Sequence, residues 1–167
     1  PTHGILVTPA SGTRSASVVV NVRQSQALRA MAFAADFEPS AVVTHTYLFA
    51  DQIARQSARI PGYPATWGVY GAYGPTPGQP VPADYEMDPD IVRNTSPGYS
   101  VREAILSLPA LCLTTSVSNL FDAATGLYPN SASQGTQWER PASAELVFPD
   151  GSRGFQVDAG LRIHGGL

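Results

Sequence analysis

WERPASAELVFPDGSRGFQVDAGLRIHGGL, residues Trp138 to Leu167, decides how this chain is read. Ser143 to Phe148 is apolar enough, and carries enough β-formers, to predict a strand. Pro149-Asp150-Gly151-Ser152 is a turn: Pro presets φ, and Gly accepts a positive φ. Phe155, Val157, Ala159, Leu161 and Ile163 then alternate with Gln156, Asp158, Gly160, Arg162 and His164, the period of a half-buried strand. The expectation is an antiparallel hairpin of Ala142 to Phe148 against Phe155 to Ile163, with Leu146 or its neighbours opposite Phe155, Val157, Ala159 and Leu161. The last strand runs into Gly165-Gly166 with nothing to cover it, and proteins usually cap or cover such an edge. With Pro1 rather than Met at the start, this predicts a piece of a longer protein.

Composition narrows the classes. The 167 residues suit one ordinary domain or two small ones. The net charge of −3 carries neither a nucleic-acid nor an anionic-membrane footprint. All ten basic residues are Arg, so no P-loop Lys, kinase phosphate-binding Lys or Schiff-base Lys exists here. Cys112 is alone, within Leu111-Cys112-Leu113, and reads as a small buried hydrophobe unless a His or a helix N-terminus activates it. No apolar run approaches the ~20 residues of a membrane span.

Working back toward the N-terminus, three strands are expected: Val18 to Val22, Ala27 to Ala34 and Val42 to Phe49, with a turn at Phe37-Glu38-Pro39-Ser40. Their spacing suggests half of a small antiparallel sandwich. Residues 57–86 are rich in Pro and Gly, which excludes regular helix. Tyr63, Trp67, Tyr70, Tyr73 and Tyr85 are scattered through them, predicting an ordered loop packed on its own rings. Asp88-Pro89 and the capping box Ser100-Val101-Arg102-Glu103 each open a short helix, the second ending before Pro109. Leu111 to Val117 is a strand candidate, Ser118 to Phe121 one helical turn, and 122–136 a loop. The fold class is therefore mainly β with short helices (α+β): the end of an Ig-like β-sandwich, a loop-rich segment and a terminal antiparallel sheet.

The order of these segments resembles an arrangement in large secreted bacterial proteins. Leu28-Arg29-Ala30-Met31-Ala32-Phe33 and Thr44-His45-Thr46-Tyr47-Leu48-Phe49 resemble the closing strands of a sandwich module like the C-terminal domain of chitobiase and β-hexosaminidase. Pro61 to Gly68, Asp84 to Pro89, Gly126-Leu127-Tyr128, Trp138 to Ser143 and Gly160 to Gly166 resemble the entry of a CotH-type kinase domain. The resemblance implies two parts, 1–49 as the accessory module and 50–167 as the entry segment. It implies a parent protein that is an atypical protein kinase of the kind that phosphorylates spore-coat proteins, placed outside the cell or on its surface. ATP and Mg²⁺ would serve that kinase domain. The implied partner is the remainder of the CotH-like domain, with carbohydrate or a surface protein beyond it. The family's Lys, catalytic Asp and metal-binding residues find no counterpart in residues 1–167, so no catalytic residue is expected here.

Three clusters remain as candidate sites. Asp84, Glu86, Asp88 and Asp90 alternate like a Ca²⁺ loop, but the sixth and twelfth positions hold Pro89 and Thr95 where an EF-hand needs Gly and Glu. An irregular Ca²⁺ site is set against a solvated turn leading to a helix N-cap. His164, Gly165 and Gly166 end a strand at a glycine pair, which in a kinase-like fold approaches phosphates and elsewhere is a plain turn. Trp138, Glu139 and Arg140 offer a sugar an aromatic platform and a charged pair, or else Trp138 covers the sheet edge and Arg140 pairs structurally. The histidines His3, His45 and His164 have no zinc spacing, and no G-x-S-x-G elbow occurs. The alternative function is a small self-contained Ca²⁺-dependent hydrolase or carbohydrate-binding module.

Overall fold

The computed structural model of the chain describes residues 4–164. Its elements run β1 (Gln26–Ala30), β2 (Val43–Tyr47), α1 (Ala50–Ile53), β3 (Thr66–Val69), β4 (Pro80–Pro82), α2 (Pro89–Val92), α3 (Val101–Ser107), β5 (Ala110–Thr114), α4 (Val117–Phe121), a 3₁₀ turn (Thr136–Trp138), β6 (Arg140–Val147) and β7 (Arg153–Leu161). The protein is mainly β with short helices, and every strand pairing is antiparallel. β1 pairs with β2, β3 with β4, and β5, β6 and β7 form one sheet in that order.

The β6–β7 hairpin follows its sequence signals. Leu146 faces Phe155, Ala144 faces Val157 and Ala142 faces Ala159. At the turn, Gly151 N–H donates to Phe148 C=O at 2.9 Å and Phe148 N–H to Ser152 C=O at 2.9 Å. Ser152 N–H donates to the Asp150 carboxylate at 2.8 Å. Gly151 has φ 81°, the left-handed conformation this turn requires and L side chains resist.

The helix signals hold as well. Asp88 caps α2 through Asp90 N–H with Pro89 in the first turn, and Ser100 caps α3 through Glu103 N–H. The turn expected from Ser118 begins slightly earlier, because Ser116 is the residue whose side chain accepts from Asn119 N–H. In the Pro-rich stretch Thr66 faces Pro82 and Val69 faces Pro80, which is possible because a two-stranded ribbon is all edge.

One expected strand is absent. Val18 to Val22 forms no strand, and Val19 is 87% exposed. Its β-branched composition predicts a strand only if a neighbour is available to pair with it, and none is. The sandwich half read from three strands is thus the two-stranded β1–β2. The turn between them is set by Asp36 at φ 62°, with Phe37 N–H bonded to Ala34 C=O, slightly before the Phe37–Ser40 position expected.

The packing is unusual in what it hides. On β6, Ser143 and Glu145 are each 1% exposed, and Thr44 on β2 is 0% exposed. Cys112, Ser143, Glu145 and Gln156 share one face of the β5–β7 sheet, and β2 lies over it. The opposite face carries Leu111, Leu113, Ala142, Ala144, Leu146, Phe155, Val157 and Ala159. There Leu111 is 59%, Leu113 50%, Phe155 47% and Val157 50% exposed. The central strand is buried on both faces, and the outer strands β5 and β7 leave their large apolar side chains half exposed.

Replacing Gly151 by Ala should lower stability by about 1 kcal/mol, because a Cβ must then sit at positive φ. Chemical denaturation should show a lower midpoint with an unchanged slope.

Candidate functional site

The polar centre of the molecule joins three segments distant in sequence. Glu145 projects from the central strand β6 toward β2. Its carboxylate accepts from Thr46 N–H at 2.7 Å and pairs with the Arg153 guanidinium at 2.9 Å. Arg153, the first residue of β7, also donates to Thr44 C=O at 2.9 Å. Next to Glu145, Gln156 donates to the Ser143 hydroxyl at 3.0 Å.

The geometry has a simple meaning. In a strand, alternate residues turn their N–H and C=O to the same edge. Thr44 C=O and Thr46 N–H therefore sit on the edge of β2 that β1 does not use. A parallel neighbour would satisfy them with the N–H and C=O of a single residue opposite His45. Arg153 and Glu145 supply that donor and that acceptor from side chains, so an ion pair closes the free edge of β2 like one residue of a parallel strand. The Thr44 hydroxyl, on the same buried surface, has no hydrogen-bond partner among the described residues.

A cleft of about 370 Å³ opens beside this pair, between β2, the end of α3 and the β6–β7 turn. His45, Leu48, Leu106 and Phe148 line it together with Glu145 and Arg153. Cys112 lies near the buried face. Burial lifts its thiol above the ordinary range; the Thr46 hydroxyl opposes that shift and the Glu145 charge adds to it.

The second organised region is a ring cluster that takes Tyr63, Trp67 and Tyr85 from the expected loop, leaves Tyr73 89% exposed, and is completed by rings from outside the loop. Tyr63 and Tyr85 meet edge to face at 5.4 Å, and Trp67 meets Tyr85 at 5.5 Å and Tyr128 at 5.3 Å. Phe121 of α4 adds contacts to Tyr63, Tyr85 and Tyr128. The Tyr85 hydroxyl donates to Pro64 C=O at 3.0 Å. Gly68 is needed here: with φ 110°, its missing Cβ would lie 3.0 Å from Pro129 Cα. Beside the cluster an open groove runs past Tyr63, Pro64, Val117 and Phe121 to Asp122. Asp122 serves the backbone at its rim: the Thr125 N–H and hydroxyl, then the Ala124 N–H, hold its carboxyl below the ordinary range.

The residues singled out from sequence find mainly local partners. Asp84 accepts from Glu86 N–H at 3.1 Å and Asp88 from Asp90 N–H at 2.8 Å, so both carboxylates cap their own backbone. Among the described residues no three His, Cys, Asp or Glu side chains converge as a metal's ligands would. Arg140 stacks over the Trp138 ring at 5.3 Å and donates to the carbonyls of Thr125, Gln137 and Glu139. Glu139 reaches instead to Arg162 at 3.5 Å. His164 is exposed at the end of β7, and Gly165 and Gly166 lie outside the described residues, as does His3. His45 is exposed and stacks on Tyr47 at 6.4 Å.

A nucleotide with its metal is not matched by these residues. The chain has no Lys, Arg162 pairs with Glu139, and Arg140 is held by three carbonyls. What sequence reasoning missed is the Glu145–Arg153 pair. Its signal was there: a carboxylate in the middle of Ala142 to Phe148, on the same face as Ser143.

Arg153→Ala should cost about 2–3 kcal/mol, somewhat below the usual figure for breaking a buried pair, because Arg153 is 37% exposed while Glu145 is 1% exposed. Glu145→Gln keeps an acceptor for Thr46 N–H and should cost less; thermal unfolding of both variants checks the order. The Cys112 thiol should react with iodoacetamide more slowly than a free cysteine at pH 8, since a raised pKa leaves less thiolate, and the gap should narrow as pH rises past the shifted value. No protein-family model, curated protein or solved structure matches this chain.

Proposed function

We propose that this chain is a non-catalytic scaffold segment of a secreted or cell-surface CotH-like protein whose kinase chemistry resides elsewhere in the parent. In this reading β1–β2 belongs to an accessory module, and the β5–β7 sheet is the entry wall of the kinase-like domain. The remainder of that domain packs on the half-exposed face of the sheet and supplies the lysine and the residues that hold ATP and Mg²⁺.

The observation that carries the reading is the burial pattern of β5–β7. Leu111, Leu113, Phe155 and Val157 on the outer strands lie half exposed on one face, while Ser143 and Glu145 on the other are buried beside β2. Each fully buried aliphatic or aromatic side chain contributes roughly 1.5–3 kcal/mol, so a face of four such residues represents a large unused stabilisation. A patch of this kind marks an interaction surface more often than a solvent-facing one. The absence of lysine agrees, because phosphoryl transfer in kinases depends on a lysine at the phosphates. Among the described residues no helix is long and apolar enough to cross a membrane.

Incubated with Mg²⁺-ATP and a basic peptide, the purified chain should give no labelled product above a protein-free control. It should bind an apolar reporter dye through the half-exposed face, and Leu113→Lys should reduce that binding without lowering the melting temperature. The same chain joined to the rest of its kinase-like domain should lose the dye signal. Turnover by the chain alone, or dye binding indifferent to Leu113→Lys, would overturn the reading.

A further inference from the structure

The two sheets treat their edges differently. The free edge of β2 is closed by the Glu145–Arg153 pair. The free edge of β7 has no such device: it is the outermost strand of its sheet, nine residues long. It contains no Pro or Lys, and its one edge device is the register shift near its start, opposite Leu146 and Val147, which leaves Phe155 to Leu161 regular. From Gly154 to Gly160 every residue but Gln156 is exposed.

Pro141 fixes which backbone groups that edge offers. It has no N–H, and its C=O accepts from the Thr115 hydroxyl at 2.7 Å and from the Asn119 amide at 3.2 Å, on the β5 side of β6. Pro141 faces Gly160, so Pro141–Gly160, Ser143–Asp158 and Glu145–Gln156 are the pairs that exchange no backbone bonds. Gln156, Asp158 and Gly160 therefore turn their N–H and C=O groups outward, away from β6, while the register shift opposite Leu146 and Val147 interrupts the alternation at Gly154.

We infer that β7 pairs with β7 of a second copy of this chain, antiparallel about a twofold axis at Val157. Face matching leaves few registers, because a one-residue slip would set apolar side chains against polar ones. Centring on Asp158 would oppose like charges. Centring on Val157 sets Gln156 opposite the second copy's Asp158, an amide facing a carboxylate, and Gly154 opposite Gly160. It also sets Phe155 opposite Ala159 and Val157 opposite Val157. The outward groups of Gln156 and Asp158 in the two copies then form about four backbone hydrogen bonds. The contact is isologous and closes on itself, giving one six-stranded sheet rather than a filament. It does not rest on the kinase-scaffold reading: that reading uses the apolar face, whereas this pairing uses the edge of β7.

The test is specific to register. In a Cys112→Ser background, Val157→Cys should form a covalent dimer on mild oxidation, because directly opposed residues of a non-hydrogen-bonded pair have the Cβ separation a disulfide needs. Phe155→Cys should not, its counterpart lying roughly 13 Å along the strand; about a tenfold difference in dimer yield is expected. Sedimentation of the unmodified 167-residue chain should show a concentration-dependent dimer. Gln156→Pro removes an outward N–H and should abolish the dimer while sparing the β6 ladder. If that variant misfolds, the double change Gln156→Lys with Asp158→Lys sets lysines opposite each other across the edge and should give a folded monomer. An unmodified chain that stays monomeric at all concentrations, or equal cross-linking at 155 and 157, would overturn the pairing.

Discussion

The burial of one carboxylate organises this molecule. Glu145 lies on the central strand at 1% exposure, and a charge in that position is tolerable only with full compensation. Thr46 N–H and Arg153 provide it, from a hairpin near the N-terminus and from the first residue of β7. Because both donors are needed, β2 has one place to lie on the β5–β7 sheet. The pair also satisfies Thr44 C=O and Thr46 N–H, which would otherwise be unpaired groups on a covered edge. Its contribution is as much to position as to stability, since apolar groups of similar size bury at least as favourably but would not fix the register of β2 over β6.

That choice has a consequence for the rest of the surface. With β2 over the polar face, the large apolar side chains of β5 and β7 on the other face stay half exposed. The apolar side chains that are well buried, Ala50, Ala83, Leu127, Ala142 and Ala144, are mostly small. The loop-rich segment builds an aromatic nucleus of Tyr63, Trp67, Tyr85, Phe121 and Tyr128, tied to β6 through Asn119 and Arg140. Cohesion thus comes from two modest centres, one polar and one aromatic, and the largest apolar surface faces outward. The kinase-scaffold reading assigns that surface to another part of the same domain.

The contacts made by Glu145 and Arg153 also cross the point, after residue 49, where the sequence changes character. Thr44 and Thr46 lie before it, and Glu145 and Arg153 after it. Ser25 adds a local clasp: its hydroxyl accepts from Phe49 N–H and its N–H donates to Gln52, which in turn reaches Arg23 C=O. These bonds tie β1, β2 and α1 together before the chain enters the loop.

The sequence by itself determined whatever depends on neighbours in the chain. The turn at Pro149 to Ser152, the caps at Asp88 and Ser100 and the β6–β7 register are all short-range, and each follows from a φ preference, a side-chain acceptor or a period of two. Tertiary structure decided what depends on a distant partner. Val18 to Val22 has strand composition but no strand beside it, so it stays unpaired. Trp138, Glu139 and Arg140 are adjacent in sequence, yet Arg140 turns to the Trp138 ring and Glu139 to Arg162. Periodicity separated the two faces of β6 and β7 correctly. It could not say that the polar face would be buried, because that was settled by a carboxylate meeting an amide and a guanidinium across about a hundred residues of chain.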